Sequence, residues 1–194
     1  MIWGLLPEDS VTVARLARDA IGAVLSGRSA PDGPPADSRL WEPGASFVTI
    51  DRAGALRGCV GTVLASRPLC LDVIHNAEGA TRDPRLPPVT RAEWPDLDVK
   101  VSVLGPLEPV PVGGCDELAA ALRPGVDGVL LTDGTRRATF LPAVWHKVDD
   151  PVRFVRALLA KGGWPPDAWP DGMQVSRYSC VEYVDRGPRA ALPG

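Results

Sequence analysis

Prolines and glycines break this chain too often for it to be a helical bundle. It has 21 prolines and 20 glycines in 194 residues, about a fifth of the chain against a usual share of roughly 12%. A glycine inside an element costs backbone entropy, and a proline withholds a hydrogen-bond donor. The chain is therefore divided into short elements joined by many turns.

The periods of those elements can be read directly. Val13, Leu16, Ala17, Ala20, Ile21, Val24 and Leu25 recur at helical spacing and predict an amphipathic helix over 8–26, with Glu8 and Asp9 well placed at its start. A proline- and glycine-rich loop follows at 27–38. Strands at 46–51 and 55–64 form a hairpin turning at Ala53 and Gly54. Pro68 in a first turn opens a second helix over 68–82, which faces inward through Leu69, Val73, Ala77 and Ala80 and ends at Pro84. Leu97, Val99, Val101 and Val103 alternate with Asp98, Lys100 and Ser102, the pattern of a half-buried strand. A short helix at 115–122, a hairpin turning at Asp133 and Gly134, and a helix at 151–161 capped by Asp149 or Asp150 come next. Residues 174–185 read as one final strand. Irregular alternation with hairpins dominant gives an α+β fold, mostly antiparallel sheet with flanking helices.

Charge and cysteine usage narrow the function. Lysine and arginine number 21 against 24 acidic residues, a net charge of −3, so no global basic field draws in nucleic acid. No apolar run is long enough for a membrane span, and the N-terminus lacks the basic and apolar segments of a leader, so the expected location is the cytoplasm. Cys59, Cys70, Cys115 and Cys180 are irregularly spaced, without a CxxC pair. Neither a structural zinc site nor a disulfide framework is expected. No nucleoside-, metal- or flavin-binding signature is visible, and no tightly bound cofactor is expected.

Two stretches can carry chemistry. In "LRGCVGT", residues 56–62, Gly58 and Gly61 surround Cys59, and glycines in a strand imply that some group approaches the backbone closely. Cys59 is either an exposed nucleophilic or redox thiol or a small packed hydrophobe. Arg57 would favour its thiolate, provided that no bulge takes residues 57 and 59 off a common face. In "TRDPRLPP", residues 81–88, Arg82 and Arg85 suit an anionic group, with Asp83 to orient one of them. Equally, these arginines satisfy a helix C-terminus. His75 and His146 are the only imidazoles, and His75 lies on the helix that follows the Cys59 strand. Arg136 and Arg137 read as a solvated hairpin tip.

In order along the chain, "LRGCVGT", "RDPRLPP", "VSVLGPLEP", "GVDGVLL", "TFLPAV" and "LLAKGGW" resemble the AMMECR domain family, named for a human chromosomal region linked to Alport syndrome. Prokaryotic members are also described as AmmeMemoRadiSam system protein A. The resemblance spans residues 10–186, with a lead-in over 1–9 and a disordered tail over 187–194. It implies an α+β domain of one larger and one smaller lobe with a groove between them. It also implies company with a Memo-type protein and a radical S-adenosylmethionine enzyme. Cys59 matches the family's motif cysteine, and Arg57, Gly58, Gly61, Asp83, Pro84 and Arg85 match motif positions. Thr62 closes the first motif. The chain departs from the pattern at Ala143, where glutamine or glutamate is usual, and at Leu86, where an aromatic is usual.

Two functions follow. One is a cysteine-dependent enzyme or substrate-holding component of a modification pathway. Cys59 and Arg57 would be its chemical residues, and Gly58, Gly61, Thr62, Arg82, Asp83 and Arg85 would hold an anionic small-molecule or nucleic-acid-derived substrate. The other is a non-enzymatic module whose groove and arginines recognise nucleic acid, peptide or protein while Cys59 is simply packed, with Trp94, Trp145, Trp164 and Trp169, in or next to loops, as typical contact residues in its support.

Overall fold

A computed structural model describes residues 7–193. The chain divides into two units. The first runs to Leu104 and resumes at Val181, and the second is Gly105–Cys180.

The first unit is built on helix α1 (Pro7–Leu25), the short strands β1 (Pro43–Gly44) and β4 (Arg67–Pro68), the hairpin β2 (Ser46–Arg52) and β3 (Ala55–Gly61), helix α2 (Leu69–Ala80) and strand β5 (Leu97–Leu104). A last strand, β10 (Cys180–Asp185), completes an antiparallel sheet of order β10-β5-β2-β3. The β2–β3 turn places both Ala53 and Gly54 at positive φ, as a two-residue connection twisted to match its strands requires. Alternation then sorts the faces. Val48, Ile50, Leu97, Val99, Val101 and Val103 point into a core shared with Val13, Leu16, Ala17 and Ile21 of α1 and Leu69, Val73 and Ala77 of α2. At roughly 25 cal/mol per Å2 of apolar surface, that burial is the main force holding helices to sheet. The opposite face carries Phe47, Thr49, Cys59 and Lys100.

The second unit pairs β7 (Gly128–Thr132) with β8 (Arg137–Phe140) and β9 (Gln174–Tyr178), with the short β6 (Glu108–Pro109) at the edge. Helices α3 (Cys115–Ala121) and α4 (Pro151–Lys161) pack on it through Leu118, Phe154, Val155, Leu158 and Leu159. Asp150 is the α4 cap, its carboxylate accepting from the Arg153 amide at 2.7 Å.

Three sequence expectations change. Pro68 is not in the first helical turn: it precedes α2 and pairs with Pro43. Residues 174–185 are two strands in two sheets, separated at Ser179, whose carbonyl accepts from the Gly105 amide at 2.8 Å. Residues 187–193, for which the sequence predicts a disordered tail, are tied to the first unit. Arg189 donates to the Leu97 carbonyl at 2.6 Å and stacks on Trp94, whose indole N–H reaches the Ala190 carbonyl at 3.0 Å. Arg136 and Arg137 are exposed at the hairpin as the sequence predicts, and Arg136 also pairs with Asp133 and lies over the Trp164 ring. The lead-in over 1–9 lies mostly outside the described residues.

Candidate functional site

Strand β3 is an edge strand, so one side of its backbone must find partners other than a neighbouring strand. Those partners are side chains of the "RDPR" turn that follows α2. The Cys59 amide donates to Asp83 Oδ2 at 2.9 Å, and Arg85 Nη2 donates to the Cys59 carbonyl at 2.9 Å. A carboxylate and a guanidinium thus supply the acceptor and donor that one residue of a further strand would supply. The two motifs singled out from the sequence form one structure, a side-chain clamp on the backbone of Cys59.

Asp83 is buried and doubly held by Arg85, through Nε at 2.9 Å and Nη2 at 2.6 Å, with the Arg85 amide adding a third bond at 3.1 Å. The Arg85 guanidinium, helped by the backbone amides, keeps the Asp83 carboxyl well below the usual carboxylate range.

The Cys59 side chain is half-buried on the face away from the core. Opposite it on β2, the Thr49 hydroxyl donates to Cys59 Sγ at 3.2 Å. The backbone of Cys59 turns outward to the clamp, so Thr49 and Cys59 form the closer, non-hydrogen-bonded kind of cross-strand pair. Lys100 is the next residue along this row and pairs with Asp51 at 2.8 Å.

Arg57 is not beside the thiol. The register shifts between Ile50 and Asp51, with Ile50 opposite Gly58 and Asp51 opposite Leu56. Arg57 is the extra residue of a bulge, and its Nε donates to Glu93 Oε1 at 2.6 Å. Glu93 also accepts from the Thr90 amide and hydroxyl, both at 2.8 Å. The Arg57 bond, with those from Thr90, draws the Glu93 carboxyl down to about 2. Its unfolded value is about 4.3, so the folded form gains stability that is complete above that pH and is lost as pH falls toward about 2. Urea midpoints measured across the acid range should fall steeply there in the wild type. They should fall less steeply in Glu93→Gln, which starts from a lower stability at neutral pH.

The glycines have internal explanations. A Cβ on Gly58 would meet the Ala80 carbonyl oxygen at 1.9 Å, and one on Gly61 would meet the Phe47 ring at 2.2 Å. The groups that approach the backbone closely are the end of α2 and a cross-strand aromatic. Thr62 is also committed inside the protein, donating to the buried Asp72 and accepting from Asn76 at 3.0 Å. Arg82 is exposed. His75 and His146 are exposed and make no hydrogen bond to Cys59. Trp94, Trp145 and Trp164 are buried, which removes three of the four contact residues proposed for a binding module. Among the described residues no three His, Cys, Asp or Glu side chains gather as metal ligands would, and no helix is long and apolar enough to cross a membrane.

Thr49, Glu93 and Asp72 belong to this region and were not singled out by the sequence. Hairpin counting from Ala53–Gly54 gives an unbulged register that sets Thr49 against Gly58. Only the bulge brings it to Cys59.

A family model described as AMMECR1 matches residues 14–183. A protein of Methanothermobacter thermautotrophicus is 37% identical over 169 residues, covering 84% of this chain and 87% of that one. One from Thermococcus gammatolerans is 36% identical, covering 93% and 92%. The crystal structure of an uncharacterized protein, PH0010 from Pyrococcus horikoshii, superposes with a TM-score of 0.84 at 32% identity over 92% of each chain.

Proposed function

This chain belongs to the AMMECR1 family, and from that premise we propose that it is a thiol-dependent component of a modification pathway, with Cys59 as the reacting group. One observation carries the reading: a half-exposed thiol whose backbone is fixed at both N–H and C=O and whose sulfur accepts a hydroxyl hydrogen bond. Such a thiol needs little ordering when a substrate arrives, and positioning of that kind is a large part of what an enzyme supplies.

Arg57 is committed to Glu93, and neither histidine bonds to the thiol. With no imidazole hydrogen-bonded to Cys59 among the described residues, holding or relaying a substrate suits the site better than hydrolysis, which calls for a base to activate water. In this reading, partners of the Memo-type and radical S-adenosylmethionine classes supply the remaining chemistry. The cytoplasm, where thiols stay reduced, is where it acts.

The test is site-resolved alkylation of the native protein by iodoacetamide, read by mass spectrometry. Burial pushes the Cys70 and Cys115 thiols up, which lowers their reactive thiolate fraction. Cys59 is expected to label fastest of the four cysteines. Thr49→Val should slow it, and Thr49→Ser should restore it. A Cys59 that stays inert until the protein unfolds would sink the reading.

A further inference from the structure

We propose that Arg85 makes the Cys59 site selective for ligands bearing an oxyanion, a carboxylate or a phosphate. The inference rests on Cys59 as the reacting thiol and adds the class of ligand it meets.

The argument begins with an asymmetry in the Arg85–Asp83 pair. The arginine side chain is 63% exposed and the aspartate side chain 1%. Asp83 directs its charge inward, to the Cys59 amide, the Arg85 amide and one edge of the guanidinium. The surface therefore shows the cation while its counter-ion lies beneath. Nε and Nη2 of Arg85 are engaged, but Nη1 has no partner among the described residues. A guanidinium held along one edge by a buried carboxylate, with its other N–H groups open, is preorganised to accept an oxyanion.

Position supplies the rest. Arg85 bonds the carbonyl of Cys59 itself. Arg82, exposed in the same turn, adds a second cation without a partner among the described residues. The nearby Arg57 and Glu93 cancel each other. A ligand whose oxyanion rests on Arg85 is thus held against the residue that carries the sulfur.

The protein also contains its own control. Arg123 lies over the buried Asp127 with closely similar exposure, 57% against 0%, but no cysteine backbone is part of that pair.

The experiment compares two alkylating reagents of nearly equal size, anionic iodoacetate and neutral iodoacetamide. In both reactions an S–C bond forms, iodide leaves with the C–I electron pair, and the thiol proton passes to buffer. The iodoacetate-to-iodoacetamide rate ratio at Cys59 should be about tenfold higher in the native protein than in the urea-unfolded chain. Arg85→Gln should bring it down to the unfolded ratio, and Arg85→Lys, which keeps the charge, should retain most of it. A native ratio equal to the unfolded one, or one unmoved by Arg85→Gln, overturns the proposal.

A second readout needs no thiol reactivity. Acetate and inorganic phosphate are titrated separately into wild-type protein, with the Nε–H signals of Arg85 and Arg123 followed by NMR. A saturable shift at Arg85, tighter than any at Arg123 because Arg82 adds a second cation only there, supports the proposal, and the tighter anion identifies the group. A shift at Arg85 no tighter than that at Arg123, or none, overturns it. If neither reagent labels native Cys59, the thiol reading falls and this titration alone decides the anion site.

Discussion

Gly58→Ala is expected to destabilise the protein by about 3 kcal/mol or more, as overpacking against an immobile neighbour does. The added methyl would lie 1.9 Å from the Ala80 carbonyl oxygen, a backbone atom at the end of α2. No rotamer change can move it aside, so either the helix end or the edge strand must shift. Gly61→Ala offers the comparison, because its obstacle is the Phe47 ring. Phe47→Ala should recover part of the loss at Gly61 and none of the loss at Gly58. Urea unfolding of the single and double variants measures this coupling. A cost below about 1 kcal/mol at Gly58 would mean that α2 can back away from β3.

Asp72→Ala should cost about 3–5 kcal/mol, the range for removing one partner of a buried charged network. The Asp72 side chain is 1% exposed. Its Oδ2 accepts from the Ser46 amide and hydroxyl, each at 2.8 Å, and from Asn76 at 2.9 Å, while Thr62 donates to Oδ1. Alanine would leave several buried donors unpaired, each costing about 1–3 kcal/mol before relaxation. The effect belongs to the first unit, because the network joins the start of β2, the residue after β3 and the first turn of α2. The expected result is a lower urea midpoint with an unchanged slope. A midpoint within error of the wild type would show that water replaces the carboxylate and that the network is not a structural pin.

What was legible in the sequence is what a local pattern controls. The 97–104 strand follows from strict alternation, α4 from its Asp150 cap and apolar stripe, and the first hairpin from Ala53–Gly54. The site was legible as residue types without their relations. Cys59, Asp83 and Arg85 stand out, but their joining through one backbone depends on contacts about 25 residues apart, which no local period encodes. Arg57 failed for a definable reason: a single extra residue in one strand reassigns every side chain beyond it to the other face. Gly58 and Gly61 correctly signalled close approach, yet a glycine is the same whether a ligand or the protein itself comes near. Residues 174–185 read as one strand because extended backbone continues unbroken while its pairing partner changes at Ser179.

The interruption of the first unit has a consequence for how the protein is made. Its sheet needs β10, and β10 begins only at the end of Gly105–Cys180 in the chain. On the ribosome, β2, β3 and β5 emerge early but wait with one flank open, while every element from β6 to β9 is already available to the second unit. The unit that starts first therefore finishes last. Its fastening by Arg189 against Leu97 and Trp94 lies later in the chain still than β10.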